Sequence, residues 1–394
     1  MNIQCPTKWY NVQKDLEIVL PPPVDPVDDS QYHSKQLFGC LNNVYVDIPD
    51  KVLEQYRKYR PSILKRATDF EKEIGASCSV FYKYEGTNSS GSHKLNAAIP
   101  QVYYSKLDGF EEVVTATGAG QWGTAVAFAA KQFNIKCTIF MTGSTYDRMP
   151  ERITLMKLLG ANVIRSPIAL HNANSDGSMA LASSEAIEYA KEHPKTAQLF
   201  GLIMHQSIIG LEAESQIIEY GYYPDIVIGC VGGGTNFGGI IAPFLREKVK
   251  NNRLIDLIAV EPDENPSLTK GTYDYDYVDY KKLTPKLKVY TIGHEHIPAP
   301  IAAGGLRYHA VDSFISKLNN DGLIRAVSAA QNEILKAGAL FYKTEGILPA
   351  PESSYAIYQA MVEAKNPANN GKTILFNISG HGHYDIKTYK ECLS

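Results

Sequence analysis

Twice along this chain a run of strand-forming residues ends in a cluster of glycines that opens a helix. That repeated junction limits the fold more than any other feature. The first is Glu112-Val113-Val114-Thr115, followed by Gly118-Ala119-Gly120-Gln121-Trp122-Gly123 and a helix expected over 124–132. The second is a strand expected over 225–230, followed by Gly232-Gly233-Gly234 and a helix from about Asn236. Further strands are expected at 80–84, 137–141, 162–164, 254–260 and 373–378, with helices at 94–104, 150–159 and 178–192. Short Ile/Val/Leu runs without polar alternation suit strands buried on both faces of a parallel sheet. Strand and helix in alternation give an α/β fold with helices flanking mostly parallel, twisted sheets. A chain of 394 residues has room for two domains. Two of similar construction are expected, over 1–215 and 216–394, meeting near 200–220 with the site between them. The Tyr-, Asp- and Pro-rich stretch at 265–305 is expected to run over the surface or around a site.

Charge and cysteine usage narrow the class. Lys and Arg total 39 against 42 Asp and Glu, a net charge of -3, which suits neither nucleic acid nor an anionic membrane as partner. No apolar run reaches the roughly 18 residues that span a bilayer. The opening Met1-Asn2-Ile3-Gln4-Cys5-Pro6 lacks the apolar core of a secretion signal. Cys5, Cys40, Cys78, Cys137, Cys230 and Cys392 are widely spaced, so free thiols in a reducing cytoplasm are expected.

In α/β sheets, ligands sit at the carboxyl ends of strands, so the glycine junctions are the places to search. Residues 118–123 match G-x-G-x-x-G, but the next strand ends Phe140-Met141-Thr142-Gly143 with no acid for a ribose. Dinucleotide binding is set aside, and a loop of backbone N–H groups suited to a small anion such as a carboxylate remains. Gly232, Gly233, Gly234, Thr235 and Asn236 form a strand-to-helix turn that fits a phosphate, with no Walker lysine after it. Lys94 lies among Ser89-Ser90-Gly91-Ser92-His93 at a helix start. An amine beside a phosphate cradle is what an aldehyde cofactor with a phosphate handle requires. Ser379 adds a hydroxyl at the end of the strand Phe376-Asn377-Ile378.

These motifs together resemble the tryptophan synthase β-chain family, in particular its second, stand-alone type, among the pyridoxal-phosphate enzymes of fold type II. The resemblance runs from Lys8-Trp9-Tyr10-Asn11 through Gly91-Ser92-His93-Lys94, the 118–123 loop and the Val227 to Gly234 run. It continues through Ala303-Gly304-Gly305-Leu306-Arg307-Tyr308-His309, the 344–354 stretch and Ser379-Gly380-His381-Gly382-His383. It implies a lyase of amino-acid biosynthesis that uses pyridoxal 5'-phosphate, serine and a nucleophile such as indole, and works as a homodimer. Lys94 would carry the cofactor imine and move the substrate α-proton. His93, Asn96, residues 232–236, Glu345 and Ser379 would contact the cofactor, with Ser379 at the pyridine nitrogen and Glu345 at the ring edge. Thr117, Gly118, Ala119, Gly120, Gln121 and Trp122, in a mobile region of about 105–195 that includes the substrate loop, would hold the substrate together with Arg307.

One position departs from the family. Where its members carry a glutamate that helps the serine hydroxyl depart and orients indole, this chain has Ala116, which can neither give nor take a proton. A second departure is Arg60-Pro61-Ser62-Ile63-Leu64, in place of the family's usual R-P-T-P-L. Three readings follow: β-replacement with serine, β-replacement with another nucleophile or a better leaving group, and a cofactor-binding homologue without turnover. No metal is expected, because the pairs His294/His296 and His381/His383 lack further ligands.

Overall fold

The computed structural model describes residues 4–28, 30–168 and 176–390. The first three residues of the opening, Cys392 and part of the expected mobile region lie outside them. Two sheets organise the chain. The larger has six strands in the order Arg325–Ala329, Asp256–Pro262, Ile226–Cys230, Thr373–Ile378, Ser79–Tyr84 and Ile63–Arg66. All its pairings are parallel except the last. The smaller runs Asn162–Ser166, Lys136–Thr142, Glu112–Thr117 and Thr196–Gln198, parallel throughout. Among the described residues no helix is long and apolar enough to cross a membrane.

The strands read as they do because both faces are covered. In Ile226–Cys230 and Thr373–Ile378 every residue is buried, and alternate side chains enter different cores. Val227, Leu257, Ala259 and Leu375 join one cluster, while Ile226, Ile228, Ile258, Val260, Ile374 and Phe376 join another. That is the period-2 division of a pleated strand. The first cluster also takes in Val113, Ile139, Met141 and Val163 of the smaller sheet, so one apolar core ties the two sheets together.

The sheets do not divide at residue 215. Residues 63–66 and 79–84 come early in the chain yet form one side of the larger sheet, and position 215 falls inside the helix Ile203–Glu219. The repeated strand-helix grammar gives no sign that the chain returns to its first sheet after building a second. The 265–305 excursion contains an antiparallel hairpin, Thr272–Tyr277 with Lys286–Thr291. The helix Ile203–Glu219 packs on Thr235–Lys250 at two glycines. A Cβ on Gly210 would lie 2.6 Å from the Gly239 carbonyl oxygen, and one on Gly239 would lie 2.5 Å from Gln206.

Beneath the start of the Lys94 helix, which spans Leu95–Leu107, lies a fully buried charge network. The Arg60 guanidinium donates from Nε to Glu212 at 2.9 Å, and from Nη1 to Glu85 at 2.9 Å and to the Asn96 side-chain oxygen at 2.9 Å. Lys83 donates to Glu212 at 2.8 Å, to Gln216 at 2.7 Å and to the Ser62 carbonyl at 2.9 Å. Asn96 donates on to Glu85 at 3.0 Å and to Gln206 at 3.2 Å. Ser62, at one of the two departures from the family pattern, bonds Glu85 through its hydroxyl and Glu212 through its backbone N–H. Two cations face two carboxylates, so the buried charges cancel. Burial alone would raise the Glu85 carboxyl, but Arg60 overrides it and holds it at about 2.

Removing one member strands the rest, which for buried pairs typically costs about 3–5 kcal/mol. Arg60→Met is therefore expected to lower unfolding stability by that amount, read from chemical denaturation at pH 7. The pH dependence has a defined direction. Because the folded Glu85 pKa lies below its unfolded value near 4.5, its contribution is complete above about pH 4.5 and is lost as the pH falls towards 2. The same denaturation series in Glu85→Gln should show a shallower acid slope than the parent.

Candidate active site

A cavity of about 330 Å³ opens where the carboxyl ends of both sheets converge, and it collects side chains from widely separated parts of the chain. At one end the strand Ile226–Cys230 turns through residues 232–234 into the helix Thr235–Lys250, and residues 232–236 all line the cavity. Among the described residues the backbone N–H groups of 232–236 have no hydrogen-bond partner in the chain. The turn needs its glycines for two reasons. A Cβ on Gly232 would lie 2.8 Å from the Gly305 carbonyl oxygen, and Gly234 has φ +96, in the left-handed region. Gly233 has ordinary room, its added Cβ meeting the Tyr308 ring at 3.7 Å. Free N–H groups at a helix N-terminus make a phosphate cradle.

Lys94 lies just before its helix, and its amine lies in the cavity 3.4 Å from His93 Nε2. Burial lowers the Lys94 ammonium below its ordinary pKa, with Glu352 and Cys230 opposing in part. Burial also lowers His93, helped by the Lys94 charge, to about 3, so that the ring is neutral near pH 7. An amine drawn towards its neutral form is a nucleophile for an aldehyde. Ser379, at the end of the strand Thr373–Ile378, lines the same cavity, with Ser353 Oγ at 2.9 Å and Cys230 Sγ at 3.7 Å. Burial pushes the Cys230 thiol up to about 11, so it stays protonated. Phosphate cradle, amine and neutral hydroxyl in one enclosure meet the three needs of pyridoxal phosphate.

The opposite end is apolar. Ala116 sits near the end of Glu112–Thr117, clustered with Val114, Phe140, Ala182, Ala186 and Ile187. Leu199, Leu287 and Val289 complete this wall, the last two from the hairpin. Trp122 donates to Thr115 Oγ1 at 2.7 Å, which in turn donates to the Leu199 carbonyl at 2.8 Å, fixing the floor. Gly120 at the loop has φ +95 and abuts Arg152, whose guanidinium pairs with Asp385 at 2.9 Å.

Of the expected site residues, His93, Lys94, Ala116, Trp122, residues 232–236 and Ser379 all line the cavity. Eight others do not: Asn96, Glu345, Arg307, Thr117, Gly118, Ala119, Gly120 and Gln121. Asn96 is one helical turn beyond His93, but its amide is spent in the buried charge network. Glu345 ends the helix Gln331–Glu345 and accepts from the Asp69 and Phe70 N–H groups at 3.1 and 2.9 Å, where it caps another helix. Arg307 turns away to Ser144 Oγ and the Pro298 carbonyl, both at 2.6 Å, beside Gly118 in a separate small gap. Thr117 and Gln121 serve the loop itself. Thr117 Oγ1 accepts from Gly123 N at 3.2 Å, and Gln121 donates to Glu352 at 3.1 Å.

The residue missed by sequence reasoning is Glu352. It opens the helix Pro351–Lys365 within the same 344–354 stretch and lines the cavity. It accepts from Gly305 N at 2.7 Å, while its second oxygen is buried without a partner. A second acid in that stretch, just after a proline that starts a helix, was the available signal.

Comparison with known proteins agrees with this geometry. The family model described as pyridoxal-phosphate dependent enzyme matches residues 57–380. The tryptophan synthase beta chain 2 of Methanosarcina mazei is 42% identical, covering 99% of this chain and 94% of the relative. The tryptophan synthase beta chain of Pseudothermotoga lettingae is 42% identical, covering 98% and 97% respectively. In fold, the processed form of threonine deaminase isoform 2 from Solanum lycopersicum superposes with a TM-score of 0.65 at 19% identity, over 95% of this chain and 91% of that one. The mostly parallel two-sheet α/β architecture is thus that of a fold type II enzyme. Lys94, the glycine turn 232–234 and Ser379 share one cavity, and the chain belongs to the tryptophan synthase β-chain family of pyridoxal-phosphate-dependent lyases.

Proposed function

We propose that the chain catalyses β-elimination and β-replacement on a small amino acid, serine being the first donor to consider. The observation that carries this reading is the two-ended cavity, with Lys94 and the phosphate cradle at one end and an apolar wall around Ala116 at the other. Bound pyridoxal phosphate supplies an aldehyde and a ring that withdraws electrons from Cα. Residues 232–236 would hold its phosphate, and the Ser379 hydroxyl would serve its ring nitrogen. A neutral hydroxyl there does not keep that nitrogen protonated as a carboxylate would, which favours loss and replacement at Cβ over transamination. Lys94 would be the amine that holds the aldehyde, and its Nζ would take and return the proton at Cα. Glu352, with one free oxygen beside this amine, holds the charge balance of the site and anchors Gln121 and Gly305 of the two loops that flank it. The backbone N–H groups of 118–121 would take the substrate carboxylate. A homodimer in a reducing cytoplasm belongs to the same reading, and the five described cysteines, all unpaired, agree with the compartment.

A specific observation favours a second reading of donor and nucleophile. At the apolar end the position of the family's glutamate is a methyl group, 7% exposed and surrounded by aliphatic side chains. Loss of hydroxide from Cβ without an acid is slow. A donor with a better leaving group, or a nucleophile larger than indole, fits the room that alanine leaves.

Three outcomes test these assignments. Borohydride reduction of the holoenzyme is expected to tag Lys94, and Lys94→Ala to abolish turnover with an unchanged circular dichroism spectrum. A different tagged lysine overturns the assignment. Gly232→Val should weaken cofactor retention at least tenfold by equilibrium dialysis, because its side chain collides with backbone at Gly305. Ala116→Glu should raise tryptophan formation from serine and indole by about 10²–10⁴-fold, the usual worth of a general acid. Vigorous synthesis by the parent protein would show that another group already supplies that proton.

A further inference from the structure

The chemistry above leaves one buried ion pair without a task. Arg152 lies in the first turn of the helix Pro150–Leu158 and Asp385 just before the helix Ile386–Lys390, and each is 3% exposed. Arg152 Nη2 donates to both oxygens of Asp385, at 2.9 and 3.0 Å. The pair joins the two sheets. Its arginine helix packs against the smaller one at the strand Asn162–Ser166, while Asp385 closes the segment that starts at Ser379, where the strand Thr373–Ile378 leaves the larger. Two contacts lead from the pair to the site. On one side the Arg152 stem lies against Gly120, where an added Cβ would be 2.9 Å from Arg152 Cδ and 3.3 Å from its Cβ. Gly120, at φ +95, is the residue that turns the 118–121 loop into its helix, so the stem backs the point where the loop changes direction. On the other side the segment from Ser379 is itself pinned, Gly380 N donating to Ser353 Oγ at 3.2 Å and Asp385 N to the Gly382 carbonyl at 2.8 Å. The Arg152 charge also reaches the reaction centre. Burial is the main cause of the lowered Lys94 pKa, and Arg152 adds to it.

Stability does not account for the pair. Two charges taken out of water at this depth gain little over apolar side chains of the same volume, and Arg152 Nε is buried with no partner among the described residues. A charge-assisted pair with both ends anchored supplies direction instead. We propose that Arg152 and Asp385 are positioning residues for the substrate carboxylate, holding the 118–121 loop against the segment that carries Ser379 so that carboxylate and cofactor ring keep one separation. Neither residue touches the reacting atoms. The inference rests on the reading that the loop takes the carboxylate, and adds what keeps the loop in place. A loop that drifts loses the carboxylate but leaves Lys94 and the glycine turn 232–234 as they were. The effect therefore falls on amino acids and spares simple amines.

The test titrates holoenzyme with glycine and with methylamine, of which only the first has a carboxylate, and follows the absorption band of the cofactor. The parent is expected to bind glycine at least tenfold more tightly than methylamine. In Arg152→Met the glycine dissociation constant should rise at least tenfold while that of methylamine stays within twofold. Arg152→Lys, which keeps the stem and the charge, should retain part of the preference. Because Arg152→Met leaves a carboxyl group buried alone, Arg152→Met/Asp385→Leu removes both charges; it should fold, by circular dichroism, and still lose the preference. Hydrogen exchange at the 118–121 amides of the holoenzyme should quicken at least tenfold in the double variant, with the 232–236 amides unchanged. With β-chloro-L-alanine as donor, its KM should rise at least tenfold and kcat stay within threefold. A parent that binds the two amines alike overturns the carboxylate reading of the loop and this inference with it. A parent that prefers glycine, beside a folded double variant that keeps the preference and the slow exchange, overturns this inference alone.

Discussion

The buried quartet of Arg60, Lys83, Glu85 and Glu212 is the constraint on which the rest of the site depends. Its members come from the segment before the first strand of the larger sheet, from the second strand and the turn after it, and from the helix Ile203–Glu219. Through Asn96 it grips the first turn of the helix that follows Lys94, and through Gln206 it reaches the cavity wall. Ion pairs of this kind add little net stability over apolar packing. What they add here is direction, since a bidentate guanidinium and two saturated carboxylates accept few alternative arrangements. The amine is thus held by strands and helices distant in sequence, at a fixed place relative to the phosphate cradle.

The residues whose place in the cavity was legible in the sequence are those with a local signature. The glycine turn at 232–234, the lysine after Gly91-Ser92-His93 and the hydroxyl of Ser379 each stand at a strand-to-loop or loop-to-helix junction, and chain topology alone brings such junctions to one edge. That Glu345, Asn96 and Arg307 lie outside the cavity lining was not legible, for different reasons. Glu345 and Glu352 lie seven residues apart on opposite sides of a helix break, and only the break decides which one faces the cavity. Asn96 is on the helix that carries the active amine, but rotated towards the charge network. Arg307 follows two glycines and a 3-10 turn, whose backbone sends the guanidinium to Ser144 instead of the cavity. Side-chain direction after irregular backbone is set by tertiary packing, which a pattern of residue types does not encode. The same limit explains the domain boundary, because the return of residues 63–84 to the far sheet depends on pairing between segments nearly 300 residues apart.

The two ends of the cavity follow opposite rules. At the cofactor end burial lowers the pKa of Lys94 and His93 and raises that of Cys230, so it favours the uncharged form of each. At the other end the wall is aliphatic, and the one exceptional position, Ala116, makes it more so. Apolar surface binds a flat nucleophile without regard to its rim, at roughly 25 cal/mol per Å² of area removed from water. It also lowers the local dielectric, so any hydrogen bond made there is strong and any left unmade is costly. Selectivity in such a half-cavity therefore depends on very few polar atoms. On the β-replacement reading proposed above, an alanine at position 116 keeps the apolar wall but supplies no acid to expel a poor leaving group. On that same reading, a chain that keeps its lysine, glycine turn and wall but not that acid would retain the chemistry at Cα and be limited to donors whose β-substituent departs without help.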